Sequence, residues 1–282
     1  MIKKNKFNLL IPILFLTLAG LIFVLGYSFK GHFDRSSIVI KADEIIKEEK
    51  LINNELTDQE EKSQTEKEIN IPEMPIFMYH HIRDYDKKDD AIGFNLSVPP
   101  SSFSNQLDSM IEKGYTTVNF QDIENGNMPD KPIMLTFDDG YQNFYTNAYP
   151  ELKKRNMKAV VFVISGFNSG DYLTREQILD LSQNNIEIGS HTISHPDLSI
   201  VSTEKAQNEI SESKRMIESI IGKTILSFCY PAGKYNEKTI EAVRNEYKYA
   251  VTTNPGVSTF ENHFELNRRR VNNDTNINAY LK

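Results

Sequence analysis

The sequence predicts an α/β fold, a parallel sheet closed as a barrel, over residues 74–282, a length that suits one domain. Two observations carry this. Apolar strand-like runs recur at residues 76–79, 133–137, 159–164, 186–190, 225–230 and 249–253. Stretches with helical spacing fall between them, and strands that alternate with helices pair in parallel.

The elements follow in order. Ile76-Phe77-Met78-Tyr79 is the first strand. Ser102 then precedes Phe103, Leu107, Met110 and Ile111 at helical spacing, and Gly114 is the stop. Ile133-Met134-Leu135 leads into Thr136-Phe137-Asp138-Asp139-Gly140. Thr174-x-x-Gln177 reads as a capping box ahead of Ile178 and Leu181. Residues 203–221 put Ala206, Ile210, Ile217 and Ile221 on one face and end at Gly222.

Ahead of the domain, Lys3, Lys4 and Lys6 precede an uncharged, mostly apolar run at residues 7–29. That run is long enough for a membrane span of about 20 residues. Basic residues before it leave the N-terminus in the cytoplasm and send the rest across, so residues 1–29 read as a signal anchor in the cell membrane, single-pass, with an extracytoplasmic domain. A cleaved signal peptide is the rival, but its apolar core is shorter, and Gly26-Tyr27-Ser28 is a poor cleavage site. Residues 30–73 are rich in Glu, Lys, Asn and Gln, lack a sustained heptad, and read as a polar stalk. The stalk is acidic in a chain of formal net charge -7, and nothing suggests nucleic-acid binding. A single cysteine, Cys229, rules out an internal disulfide.

The chemistry lies in two motifs. Asp138-Asp139-Gly140 ends an apolar strand, and His191-Thr192-Ile193-Ser194-His195-Pro196 follows later. Two imidazoles four residues apart can aim at one point, and one carboxylate can complete a facial set with an open position for water. Consecutive strand side chains point to opposite sides, so the other Asp is left free to accept a proton from that water. This is equipment for metal-assisted hydrolysis.

Together the two motifs resemble those of the polysaccharide deacetylases of carbohydrate esterase family 4, and the resemblance runs from about Pro75 to the C-terminus. It implies a distorted (β/α) barrel of about seven strands, with its site at the strand C-terminal ends. Residue by residue, it implies Asp138 as the general base and Asp139, His191 and His195 as the metal ligands. Phe228-Cys229-Tyr230-Pro231-Ala232-Gly233-Lys234-Tyr235 is similar to the family's groove motif Arg-x-Pro-Tyr-Gly, with Cys229 in place of the Arg and Ala232 in place of the Tyr. A branch acting on exported poly-N-acetylglucosamine also lacks that Arg and carries a Leu-x-Arg near its C-terminal end. Leu266-Asn267-Arg268 matches, which makes Arg268 the substitute brace for Asp138. The family's oxyanion donor is the backbone N–H at Ala232, a group alanine retains. Its general acid is a His commonly near the C-terminus. Here Tyr79-His80 stands at the domain start instead, as in that branch, and in a closed barrel the first and last strands are neighbours. His80 is therefore the expected acid. His81 points the other way, and His263 is a remote third candidate.

The resemblance implies a membrane-anchored deacetylase that removes N-acetyl groups from N-acetylglucosamine units of peptidoglycan or poly-β-1,6-N-acetylglucosamine. Its cofactor would be a divalent metal, Zn2+ first, with Co2+, Ni2+ and Mn2+ also suited to mixed His/Asp ligation. The Arg-to-Cys departure raises an alternative, a catalytically silent glycan-binding module of the same fold. A metal-dependent peptidase is more remote, because His-Glu-x-x-His is absent.

Overall fold

Parallel strands form the wall of a closed barrel. In chain order the strands are β1 (Ile76–Tyr79), β2 (His81–Ile82), β3 (Ser97–Val98), β4 (Thr116–Thr117), β5 (Pro132–Phe137), β6 (Ala159–Val163), β7 (Ile186–Ser190), β8 (Ser227–Cys229), β9 (Tyr249–Pro255) and β10 (Leu266–Arg270). The ring runs β1-β10-β9-β8-β7-β6-β5 and closes through β1 and β5, with Ile76 opposite Met134 and Tyr79 opposite Phe137. It therefore has seven strands. The pair β4 adds to the start of β5, and β2 and β3 pair apart from the ring. This computed structural model describes residue 71 and residues 73–282. The expected span within residues 1–29 and nearly all of the expected stalk lie outside the described residues. Among the described residues, no helix is long and apolar enough to cross a membrane.

Strands β1, β5 and β6 are buried along their whole length because both of their faces are covered. Ile76, Met134, Val160, Phe162 and Val251 pack into one cluster with Leu266. Their sequence neighbours Phe77, Tyr79, Leu135, Phe137, Val161 and Val163 pack into a second cluster with the helices. The helices are α1 (Ala91–Asn95), α2 (Pro100–Glu112), α3 (Phe120–Glu124), α4 (Tyr149–Lys154), α5 (Arg175–Ser182), α6 (Thr203–Ile221) and α7 (Glu237–Glu246). The expected capping box holds α5, where Gln177 N donates to Thr174 Oγ1 at 3.3 Å and Thr174 N to Gln177 Oε1 at 2.9 Å. Gly222 stops α6 with φ 66°. At the N-terminal end of the barrel, Phe120 of α3 stacks on Tyr249 at 4.8 Å and joins the inner cluster. That plug closes the end opposite the functional motifs.

Sequence periodicity missed β10 and α7. The strand reads Leu-Asn-Arg-Arg-Arg and has no apolar run, because one of its buried positions is Arg268, fully inaccessible to solvent.

Candidate active site

β5 stops at Phe137, and the chain then turns left-handed, with φ of 72° at Asp139 and 73° at Gly140. Gly140 is required twice over, by its φ and because a Cβ there would lie 3.1 Å from Val163 Cγ1. The sequence reading separated the two carboxylates by strand pleating. They are separated instead by this turn, which lies beyond the strand end. Strain of this kind in a non-glycine residue concentrates at functional sites.

Asp138 is 3% exposed and gripped by Arg268, whose Nη1 donates to Oδ1 and Nη2 to Oδ2, both at 2.7 Å. The guanidinium is held in turn: Nε donates to Thr252 O at 2.8 Å and Nη1 to Thr136 Oγ1 at 2.9 Å. Nη2 also lies 3.2 Å from Cys229 Sγ. Cys229 is thus a buried strand residue lining the pocket that Arg268 fills. Burial pushes the Asp138 carboxyl up, but the charge and hydrogen bonds of Arg268 outweigh it and hold the group far below the usual carboxylate range.

Asp139 Oδ1 faces two imidazoles, 3.3 Å from His191 Nε2 and 3.5 Å from His195 Nε2. The three donor atoms lie within 4.8 Å of one another. His191 Nδ1 is 2.7 Å from Cys229 O, a carbonyl that can only accept, so Nδ1 donates there and Nε2 is the nitrogen turned toward Asp139. Burial raises Asp139, but the hydrogen bond and charge of His191 bring it down to about 2, ionised as a ligand must be. The His195 side chain is 34% exposed, which leaves one side of the cluster open to solvent. Two nitrogens and one carboxylate around an open side fit a zinc-type ion. A second grouping, Asp138, His191 and Cys229, also has its donor atoms close together, but Asp138 there is committed to Arg268 and His191 Nδ1 to a carbonyl.

The histidine loop is strained as well, with φ of 69° at Thr192 and 57° at His195. Glu209 of α6 clamps it, accepting from Ile193 N and Ser194 N at 2.9 Å and from Ser194 Oγ at 2.7 Å. The sequence reading missed Glu209. Its signal was a carboxylate between Ala206 and Ile210 on the apolar face of α6.

Ala232 adopts φ 52° and ψ 16°, is exposed, and its N–H has no acceptor among the described residues. Gly233 beside it admits no side chain, since a Cβ would meet Thr253 Oγ1 at 2.0 Å. His80 lies between β1 and β2 with Nε2 3.9 Å from Asp138 Oδ2. Its buried Nδ1 has no partner among the described residues, and burial lowers the imidazole to about 4 against the opposing pull of Asp138 and Asp139. His81 is engaged elsewhere, with Nδ1 2.8 Å from Asn143 Nδ2 and its ring stacked on Tyr141. His263 packs against Tyr249 and Phe260 near Glu124, at the plugged end of the barrel and away from the Asp pair.

A barrel with paired acids, an open His/His/Asp cluster and a free backbone donor at its strand C-terminal ends has the parts that metal-assisted hydrolysis uses. The profile of the family described as "Polysaccharide deacetylase" matches residues 125–251, which hold Asp138, Asp139, His191, His195 and Ala232 but not His80 or Arg268. The YxkH protein of Bacillus subtilis (strain 168), named provisionally as a polysaccharide deacetylase, is 34% identical over 206 residues, 70% of this chain and 71% of that one. The chain belongs to the polysaccharide deacetylase family, carbohydrate esterase family 4. It is also similar to the poly-beta-1,6-N-acetyl-D-glucosamine N-deacetylase of Staphylococcus epidermidis, 24% identical over 225 residues, 70% of this chain and 78% of that one. Among solved structures, the Streptococcus pyogenes deacetylase PplD in complex with acetate superposes with a TM-score of 0.69 at 33% identity, covering 75% of this chain and 98% of that one.

Proposed function

We propose that this chain is a membrane-anchored, metal-dependent deacetylase that hydrolyses N-acetyl groups of N-acetylglucosamine units in a cell-envelope or exported glycan, peptidoglycan or poly-β-1,6-N-acetylglucosamine. The observation that carries the reading is the division of labour between adjacent carboxylates, Asp138 locked to Arg268 and Asp139 turned toward His191 and His195. Asp139, His191 and His195 would hold the divalent ion, Zn2+ before Co2+, Ni2+ or Mn2+. Such an ion, when bound, polarises the acetyl carbonyl and acidifies water.

The protein's own groups complete the reaction. Asp138 accepts a proton from the attacking water, while the Ala232 N–H donates to the oxygen that becomes negative as the carbonyl is attacked. Held so acidic, Asp138 does not keep the proton. His80 Nε2, 3.9 Å from Asp138 Oδ2, takes it and delivers it to the departing nitrogen as the C–N bond breaks. Acetate leaves, and a glucosamine unit remains. The intact Arg268 brace supports turnover over a silent binding module, since it supplies the group that Cys229 displaces. Residues 7–29 would anchor the chain in the cell membrane and residues 30–73 would carry the domain outward on the extracytoplasmic side.

The full-length chain should release acetate from N-acetylglucosamine oligomers or from peptidoglycan. A chelator should abolish the release and Zn2+ should restore it. No acetate from any of these glycans would overturn the reading. His80→Ala should lose most of its kcat on an N-acetyl amide, whose amine leaves poorly unprotonated, yet keep much of its activity on an aryl acetate ester. Equal losses on both substrates would assign His80 a structural role.

A further inference from the structure

Between the two ligand-bearing turns runs the segment of residues 164–173, bonded to both. Ser165 N donates to Thr192 O at 3.0 Å and Gly166 N to Ile193 O at 2.9 Å, which ties one side to the histidine loop. A Cβ on Gly166 would lie 2.6 Å from Ile193 O, so the approach is as close as backbone permits. On the other side, Leu173 N donates to Gly140 O at 2.8 Å and Gln142 N to Asp171 O at 2.7 Å, and Tyr141 forms a bridge with Tyr172. The segment is a fixed wall of the site opening.

Four rings line up along that wall. His81 stacks on Tyr141 with centroids 3.6 Å apart, Tyr141 on Tyr172 at 5.3 Å, and Tyr172 meets Phe167 at 5.0 Å. Tyr141 follows the Asp139-Gly140 turn directly, so the row passes beside the cluster and runs outward. It ends on Phe167, which is 39% exposed. Other aromatic residues nearby are spent on packing. Tyr230 donates its hydroxyl to Phe264 O and Tyr235 to Glu265 Oε1, while Tyr280 lies against Phe77 and Arg269 on the outside of the barrel.

We propose that this row is a sugar-binding platform, with Phe167 stacking the pyranose next to the one being deacetylated. The C–H face of a β-linked hexopyranose is apolar and flat, the surface an anchored, exposed ring accepts. Phe167 stands at the outer end of the row, beyond the cluster, so it holds a neighbouring unit and selects chains over the monosaccharide. The proposal rests on the deacetylase reading, whose glycan is its occupant.

The test compares the full-length chain with Phe167→Ala and Phe167→Trp, using the N-acetylglucosamine pentamer, the monosaccharide and an aryl acetate. Phe167→Ala should raise KM for the pentamer roughly tenfold with kcat retained, the scale of one aromatic contact. It should leave the monosaccharide and the aryl ester unchanged, and Phe167→Trp should restore pentamer binding. Calorimetric titration of the metal-free chain with the pentamer should show the same tenfold loss in Kd for Phe167→Ala. An unchanged pentamer KM and Kd, or an equal loss on the aryl ester, would overturn the platform while leaving the deacetylase reading in place. Pentamer binding that depends on Phe167 without acetate release would do the reverse.

Discussion

Asp138→Asn should keep its metal and lose turnover by roughly 10²–10⁴-fold, the usual contribution of a general base. The metal should stay because both Asp138 oxygens accept from Arg268, while Asp139 Oδ1 faces the two imidazoles. His191→Ala or His195→Ala gives the contrast, since each deletes one of three donors and should weaken metal binding sharply. Metal content by elemental analysis, read beside kcat on the same preparations, separates the roles. Loss of metal in Asp138→Asn, with metal kept in His191→Ala, would exchange base and ligand. The asparagine also leaves the Arg268 charge without an anion, so activity must be compared at equal folded fraction.

How much of this was legible beforehand follows from where the sequence keeps ordinary periodicity. The apolar strands could be read because both faces are buried, and α5 and α6 because their capping box and terminal glycine are local signals. The two histidines and the carboxylate pair were legible for a different reason, since residue type and spacing imply a ligand set, while the choice of Asp139 over Asp138 came from the family resemblance. What escaped was non-local. β10 hid because a buried arginine broke its pattern, and that arginine makes sense only against Asp138, 130 residues earlier. The turn at Asp139, the clamp from Glu209 and the wall of residues 164–173 depend on left-handed backbone and on contacts between loops. Hydropathy carries no trace of those. His263 was a candidate by residue type alone, and its position at the plugged end of the barrel removes it.

Arg268→Met should destabilise the fold by about 3–5 kcal/mol at neutral pH, the cost of leaving one member of a buried ion pair without its partner. Arg268 is wholly buried and Asp138 nearly so, so little solvent is at hand to screen the abandoned carboxylate. The sign of the pH dependence provides a sharper check. In the wild type Arg268 overcomes burial and depresses the Asp138 carboxyl, so the pair's contribution is fully present above the unfolded value of about 4 and drains as the pH falls below it. Without Arg268 burial dominates and the folded carboxyl rises above its unfolded value, so the variant instead loses stability as the pH climbs from about 4. The gap between wild type and Arg268→Met should therefore widen from pH 4.5 to pH 7 in denaturant unfolding of the metal-free chain. The double variant Asp138→Asn with Arg268→Met buries no charge at this point, and should be markedly less destabilised than the sum of the single variants while remaining inactive. Additive losses together with a gap that does not change with pH would show that the two side chains are not energetically coupled, and the brace would no longer explain how this site works without the family's usual arginine.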